Sequence, residues 1–399
     1  MKFMKLILLF ILSTGFIYPQ GVGVGERFDL TAKLNLGSGQ FAQLFVPDYF
    51  IPPNDGEFLL VFHLHSASWA AENQIYKSLS NAVLFNIHLG ALSSPYQNYF
   101  SDPNKFSAIL DTVLSVLSNN SIIQAPQIKY LVITSFSAGY AGLREILKTQ
   151  SYYDMINAIN LADGLHCSSD PGTAAIQMQD FLRFAIDARD EEKIMLLTHS
   201  SITTSGYQST TQTSNYLING TGAQVNTVTE INEIGTMYAK CDTGYFQIRR
   251  YYGQTAEDHL KHLYAMYIML RTAINILDPS LTSVNKDESM LHNFFLYQNY
   301  PNPFNPCTKI SWQSPVGSLP AGQAGWHTTL KIFDVLGKEV ATLVDEYRQA
   351  GYHEVEFNLY SDEGQSLTSG VYFYQLRARG PETSSGQRIV ETKKMILLR

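Results

Sequence analysis

Short apolar runs separated by polar, turn-forming stretches dominate the first two-thirds of the chain. FDLTAKLNL and QFAQLFVP alternate apolar and polar residues around turn formers, the period of an antiparallel hairpin. Beyond them, FLLVFHLH, AVLFNIHLGA, YLVITSFS, AINLAD, KIMLLTH and YFQIRRYY recur at intervals filled by segments of helical period. Runs of that kind are strands covered on both faces, so the pattern predicts βαβ units and a mostly parallel sheet. Phe106, Ile109, Leu110, Val113, Leu114 and Leu117 share one helical face. Leu260, Leu263, Tyr267, Leu270, Ile274 and Leu277 share another, and both sets predict amphipathic helices against the sheet. Residues 200–229 are rich in Ser, Thr, Asn and Gly without a period, which predicts a long surface segment, either a substrate-covering flap or a solvated insertion.

The pattern changes at both ends. Lys2 and Lys5 precede an apolar run, residues 6–16, too short to span a bilayer but long enough for the core of an export signal, so residues 1–20 read as a signal peptide. After Asp278 the stretch DPSLTSVNKDES is polar and holds Pro279, placing a linker at 279–290. From Leu330 onward, KIFDVLGKEVATLV, YHEVEFNL, GVYFYQLRA and KKMILLR read as strands separated by turns, with Leu336 and Gly337 at a hairpin corner. The chain thus divides into an α/β domain at 21–278 and a small all-β sandwich at 291–399.

Length and composition agree with two cores: 399 residues, 45 % of them apolar. A net charge of -7 and no cluster of Lys and Arg argue against a nucleic-acid partner. No second long apolar run follows the signal, so no transmembrane helix is expected in the mature protein. Cys167, Cys241 and Cys307 are too few for a disulfide scaffold; one Cys167 to Cys241 bridge and three unpaired thiols both stay open.

The sharpest local signal is YLVITSFSAGYAGLREILKTQ, a β-branched strand running through Ser135-Phe136-Ser137-Ala138-Gly139 into a helix. A serine on such a turn projects its hydroxyl above the sheet, and the helix N-terminus behind it aims backbone N–H groups at a developing oxyanion. These residues resemble the nucleophile elbow of the α/β-hydrolase superfamily, with Ser135 in place of the usual first glycine, and the strand and helix order over about residues 25–278 resembles the fold.

That resemblance implies Ser137 as nucleophile and a later acid and histidine, in that chain order. His259, in the first turn of the helix after the last predicted strand, is the preferred base, with His262 as runner-up. Thr255 and Asp258 have the spacing of a helix cap. Asp163, closing AINLAD before Gly164, is the preferred acid and Asp170 the runner-up. The oxyanion hole would use the Ala138 N–H and backbone atoms of His65 and Ser66, after the strand FLLVFHLH. No cofactor is expected. Two other readings compete. His63 and His65 could seed a metal site, with His88, His166 and His199 at later strand ends. A catalytically inactive surface binding protein could instead hold a glycan on an aromatic loop of Tyr96, Tyr99 and Phe100.

The tail FFLYQNYPNPFNPCTKISW has Pro301, Pro303 and Pro306 fixing extended backbone and Tyr297, Phe304 and Trp312 as apolar anchors. With the strands that follow it closely resembles the C-terminal sorting domain of the type IX secretion system, over residues 291–399, with SPVGSLPAGQAGWH as an extra loop. The resemblance implies passage through the outer membrane, removal of the tail, and a secreted or surface-attached product. The combined expectation is an exported serine hydrolase, most simply a carboxylic esterase, acting on a small-molecule or acylated-polymer substrate and partnered by the type IX secretion machinery.

Overall fold

Every position of Glu57–Leu64 after its first residue is buried, and its two faces feed different cores. Phe58, Leu60, Phe62 and Leu64 enter one hydrophobic cluster, while Leu59 and Val61 enter a second. Burying such a side chain is worth about 1.5–3 kcal/mol, so a strand apolar at every position is stable only with helices on both sides. The structure, a computed structural model, describes residues 25–282, 295–296, 299, 302–314, 326–348, 351–359, 367–379 and 388–398. The signal at 1–20, linker residues 283–290 and loop residues 315–325 lie outside the described residues. The chain separates into two compact units on either side of residue 284.

The first unit runs Gly25–Asp29 (β1), Phe41–Pro47 (β2), Glu57–Leu64 (β3), Ser68–Ser78 (α1), Val83–His88 (β4), Ser93–Phe100 (α2), Asn104–Asn119 (α3), Gln127–Phe136 (β5), Tyr140–Leu147 (α4) and Gln150–Met155 (α5). It continues with Ile156–Ala162 (β6), Pro171–Arg189 (α6), Ile194–His199 (β7), Thr210–Thr221 (α7), Asn226–Asn232 (β8), Gly235–Thr243 (β9), Phe246–Tyr251 (β10), Ala256–Tyr264 (α8) and Met266–Leu277 (α9). One sheet holds them in the order β1-β2-β4-β3-β5-β6-β7-β10-β9-β8. The strands from β4 to β10 in that order are parallel, and the antiparallel pairs sit toward its two edges. This is the mostly parallel sheet flanked by helices that the apolar runs predict. Residues of α2, α3, α4 and α6 join the first cluster, and those of α1, α8 and α9 the second.

Strand order reverses around β3, because the chain leaves it on one side for β4 and returns on the other for β5. A reversal of that kind opens a crevice at the carboxyl ends of the strands. The register fixes what meets there: Leu64 pairs with Ser135 and Phe136 with Ala162, so the residues that follow, Ser137 and Asp163, leave neighbouring strand ends.

Three expectations are corrected. Residues 200–229 are not one long loop. Ser209 caps α7 in a reciprocal capping box with Gln212, and 226–232 form β8 on the sheet edge. The buried face of α7 is Thr210, Thr213, Ser214, Leu217, Ile218 and Thr221, so polar side chains mask its helical period. The predicted final helix is two, α8 and α9, because Ala265 leaves helical geometry at φ -103°, ψ 8°. Tyr96, Tyr99 and Phe100 lie on α2 rather than a loop, and Tyr96 and Phe100 are buried in the core, which removes them as a glycan platform. Cys167, Cys241 and Cys307 are free thiols.

The second unit holds a three-stranded sheet, Phe295–Leu296 (β11), Cys307–Ser314 (β12) and Gly351–Asn358 (β15), and a four-stranded one. The latter contains Trp326–Phe333 (β13), Glu339–Arg348 (β14), Gly370–Arg379 (β16) and Arg388–Leu397 (β17). Alternate residues of β13 and β16 point inward, joining Phe304, Ile310 and Trp312 in one core. The predicted corner forms where Asp334 Oδ1 accepts from the N–H groups of Leu336 and Lys338 and Gly337 takes φ 81°.

Candidate active site

β5 is buried from Leu131 to its end, and the chain then turns sharply at Ser137, which takes φ 47°. A left-handed serine costs about 1–3 kcal/mol, held here by close packing on both sides. A Cβ on Gly139 would stand 2.5 Å from Leu64 O and 2.8 Å from Ser135 Oγ, so the turn into α4 requires glycine there. Ser135 is fully buried and its Oγ has no hydrogen-bond partner among the described residues, so it serves as a small filler. A Cβ on Gly164 would lie 2.3 Å from Ser137 O and 2.5 Å from Ser137 N, so the segment after β6 presses directly on the elbow. Gly164→Ala is expected to displace Ser137 and cost about 1–3 kcal/mol of overpacking. The check is a thermal melt, where the midpoint should fall by several degrees, with activity reduced in parallel.

Asp163 also leaves its strand with positive φ, 42°, and is 3 % exposed. Its Oδ2 accepts from His259 Nδ1 at 2.7 Å and from Ser200 Oγ at 2.7 Å, and its Oδ1 from Ser200 N at 3.0 Å and Thr210 Oγ1 at 3.2 Å. Burial pushes the carboxyl up, but the His259 hydrogen bond, the imidazoles of His262 and His259 and the Ser200 N–H outweigh it and hold the group well below the usual carboxylate range. An ionised carboxylate only accepts, so His259 Nδ1 carries a proton, and in the neutral imidazole the lone pair is then on Nε2. The His259 ring packs on Phe136, centroids 4.5 Å apart, and α8 holds its backbone through the Thr255 and Asp258 capping box that the spacing predicts.

Ser137, Asp163 and His259 share a cavity of about 460 Å³. Ala138, Tyr140 and Arg144 line it from the elbow and α4, His166 and Cys167 from the segment after β6, and Ile202, Thr204 and Tyr207 from residues 200–209. The structure therefore brings together the preferred serine, acid and histidine.

The other candidates fall elsewhere. His262 is buried with Nδ1 on Thr198 Oγ1 at 2.9 Å, and it does not line the cavity, so the runner-up base is corrected to a packing residue. Asp170 caps α6, accepting from Thr173 N at 2.8 Å, which corrects the runner-up acid. His65 does not supply an oxyanion N–H, because that group already donates to Ile87 O at 3.1 Å; its ring Nδ1 lies 3.0 Å from the Tyr96 hydroxyl. Ser66 is buried beside it, its hydroxyl donating to Ala67 O. His63 sits in the sheet with Nδ1 2.7 Å from Thr134 Oγ1, pushed down to about 3 by burial. Among the described residues no group of three or more His, Cys, Asp or Glu gathers as metal ligands, so His63 and His65 lack the further donors a metal site needs.

Sequence reasoning missed Ser200, Thr210 and Arg144. The first two carry no motif and reach Asp163 only because β7 ends and α7 begins beside it; Arg144 reads as an ordinary helix charge until its burial is seen.

No curated protein matches the sequence. Solved structures to which the chain is similar include the dienelactone hydrolase of Anabaena variabilis, 11 % identical over 63 % of this chain and 97 % of that one, TM-score 0.33. The feruloyl esterase module of Clostridium thermocellum is 10 % identical over 63 % of this chain and 89 % of that one, TM-score 0.36. Latent PorU of Porphyromonas gingivalis is 22 % identical over 26 % of this chain, TM-score 0.20, and the match spans 9 % of that chain's length. No helix among the described residues is long and apolar enough to cross a membrane. The family model described as the secretion system C-terminal sorting domain matches residues 298–391, so the β unit is a type IX sorting domain and the chain an exported protein, secreted or attached at the outer surface.

Proposed function

We propose that the α/β domain is a serine hydrolase that cleaves a carboxylic ester by acyl transfer to Ser137. The observation that carries this reading is the 2.7 Å pairing of His259 Nδ1 with a buried Asp163 in the cavity that Ser137 also lines. His259 Nε2 takes the Ser137 hydroxyl proton as Oγ attacks the ester carbonyl carbon. The carbonyl oxygen becomes an oxyanion, stabilised by the Ala138 N–H with the Ser66 N–H as second donor. Collapse of the tetrahedral intermediate breaks the bond to the leaving alcohol, which receives its proton from His259. Water, deprotonated by the same imidazole, then releases the acid and restores Ser137. Asp163 holds the imidazole in the required tautomer and stabilises its cationic form. The substrate is a small ester or an acyl group on a polymer, met outside the cell.

Asp163→Asn tests this assignment. An amide at that position presents an N–H toward Nδ1 and turns the lone pair away from Ser137, so kcat for nitrophenyl ester hydrolysis is expected to fall about 10⁴-fold. The variant also replaces a buried carboxylate that accepts from four donors, at a cost of about 1–3 kcal/mol. Because the carboxyl titrates lower in the folded chain than in the unfolded one, its stabilising effect is complete above the unfolded value of about 3.9. That effect is lost as pH falls through the folded value, so the gap in stability between parent and variant should narrow in acid. A variant with near-parent kcat would refute Asp163 as the acid.

A further inference from the structure

Arg144 is a buried cation that the mechanism above does not use. It lies on α4, two turns past the elbow, is 7 % exposed, and lines the same cavity as Ser137. Its Nε donates to Gln177 O at 3.0 Å and its Nη2 to His166 O, both backbone carbonyls. The guanidinium carbon stands 5.0 Å from the centroid of the Tyr140 ring. The Tyr140 side chain interacts with the guanidinium and with Ser93. Among the described residues no carboxylate forms an ion pair with Arg144. The adjacent Glu145 is bound by Lys148 at 2.6 Å, and Asp163 is committed to His259, Ser200 and Thr210.

An unpaired guanidinium held out of water is costly, and neutral carbonyls offset only part of that cost. What such a group lacks is an anion, and the one side it can receive an anion from is the cavity. We infer that Arg144, with Tyr140 and Ser93, forms a subsite for a carboxylate carried by the substrate, so that the ester cleaved at Ser137 belongs to an acid or alcohol with a second, free carboxylate. The match is to a single negative charge: Arg144 is the only cation among the described residues lining the cavity, whereas a phosphate monoester at neutral pH carries nearly two charges. A planar carboxylate also suits the edge of a guanidinium better than a tetrahedral group does.

This deepens the serine-hydrolase reading and rests on it for the position of the ester, but the subsite is testable without turnover. Binding of glutarate and of its neutral analogue glutaramide would be measured by calorimetry on the full chain, in the parent and in Arg144→Met. The expected result is at least about tenfold tighter binding of glutarate in the parent, with the preference lost in the variant. Equal binding of the two by the parent overturns the subsite, and so does a preference that survives in Arg144→Met. Because Arg144 also ties α4 to the segment after β6, Arg144→Met could unfold the domain. Arg144→Lys then serves, with the preference expected to drop at least about threefold because an ammonium cannot hold the two carbonyls and a carboxylate in the fixed directions a guanidinium does; an unchanged preference overturns the proposal. The parallel kinetic measurement compares kcat/KM for nitrophenyl glutarate monoester and nitrophenyl valerate. Discrimination in binding with no hydrolysis of either ester refutes the serine mechanism and leaves the subsite, whereas hydrolysis of both esters without discrimination refutes the subsite and leaves the mechanism.

Discussion

Ser137→Ala is expected to lower kcat for ester hydrolysis by about 10⁴- to 10⁶-fold, leaving only what the oxyanion donors and substrate binding contribute. The loss is that large because no other hydroxyl stands at the elbow. Ser135, the nearest in sequence, is fully buried with its Oγ beside Gly139 and has no route to the cavity. The fold should be retained. Alanine meets the same left-handed backbone as serine at φ 47°, and Ser137 belongs to neither hydrophobic cluster of the domain. A change in melting midpoint within about 2–4 °C, which corresponds to about 1 kcal/mol for a domain of this size, would accompany the kinetic collapse. Steady-state hydrolysis of a nitrophenyl ester, with the melt as control, checks both halves.

The second large effect separates two histidines one turn apart. His259→Asn keeps a donor where Nδ1 meets Asp163 but removes the nitrogen that would accept the serine proton, so kcat should fall about 10⁴-fold or more with little loss of stability. His262→Asn should do the reverse. Its imidazole is 1 % exposed, bonded to Thr198 Oγ1 and edge-on to Tyr251 at 5.4 Å, so replacement costs about 1–3 kcal/mol while kcat stays within about tenfold. Burial first, with His199 and His259 adding to it, lowers His262 to about 4 despite the Asp163 charge, so it stays neutral across physiological pH. Measuring kcat and melting midpoint for both variants decides between them, and equal kinetic loss in the two would contradict the assignment of roles.

Much of this arrangement is legible in the sequence because the central strands are buried on both faces. FLLVFHLH and YLVITSFS cannot be satisfied as surface strands, so their place in a parallel sheet covered on both faces follows from composition, while the crevice at their carboxyl ends comes from the strand order. The elbow is legible because a small residue, a serine and a glycine occur where a strand meets a helix. Asp163 and His259 were accessible only through chain order, and their 2.7 Å pairing is made where α8, following β10, brings His259 to the end of β6. The helix α7 escaped because its buried face is built of threonine and serine, whose hydroxyls bond back to carbonyls one turn earlier, as Thr221 Oγ1 does to Leu217 O at 2.9 Å. A hydrophobic period cannot reveal such a face; the capping pair Ser209 and Gln212 was the available signal. The hairpin of β8 and β9 escaped for a related reason. β8 is an edge strand, mostly exposed, and its polar side chains resemble a loop.

Arg144 marks the limit of pattern reading. In the sequence it is one of two adjacent charges, with Glu145, on a largely apolar helix, and nothing in the spacing separates a solvated arginine from a buried one. Only the packing of α4 against the segment after β6 turns it into a cation facing a cavity.

Covalent capture by a fluorophosphonate tests the central claim most directly, because the reagent reacts only with a serine activated by a neighbouring base. The folded parent should gain one phosphonyl group, located by peptide mass mapping on Ser137, and both Ser137→Ala and His259→Asn should fail to gain it. A parent that melts cooperatively yet takes up no label, or carries the label on another residue, would contradict acyl transfer at Ser137.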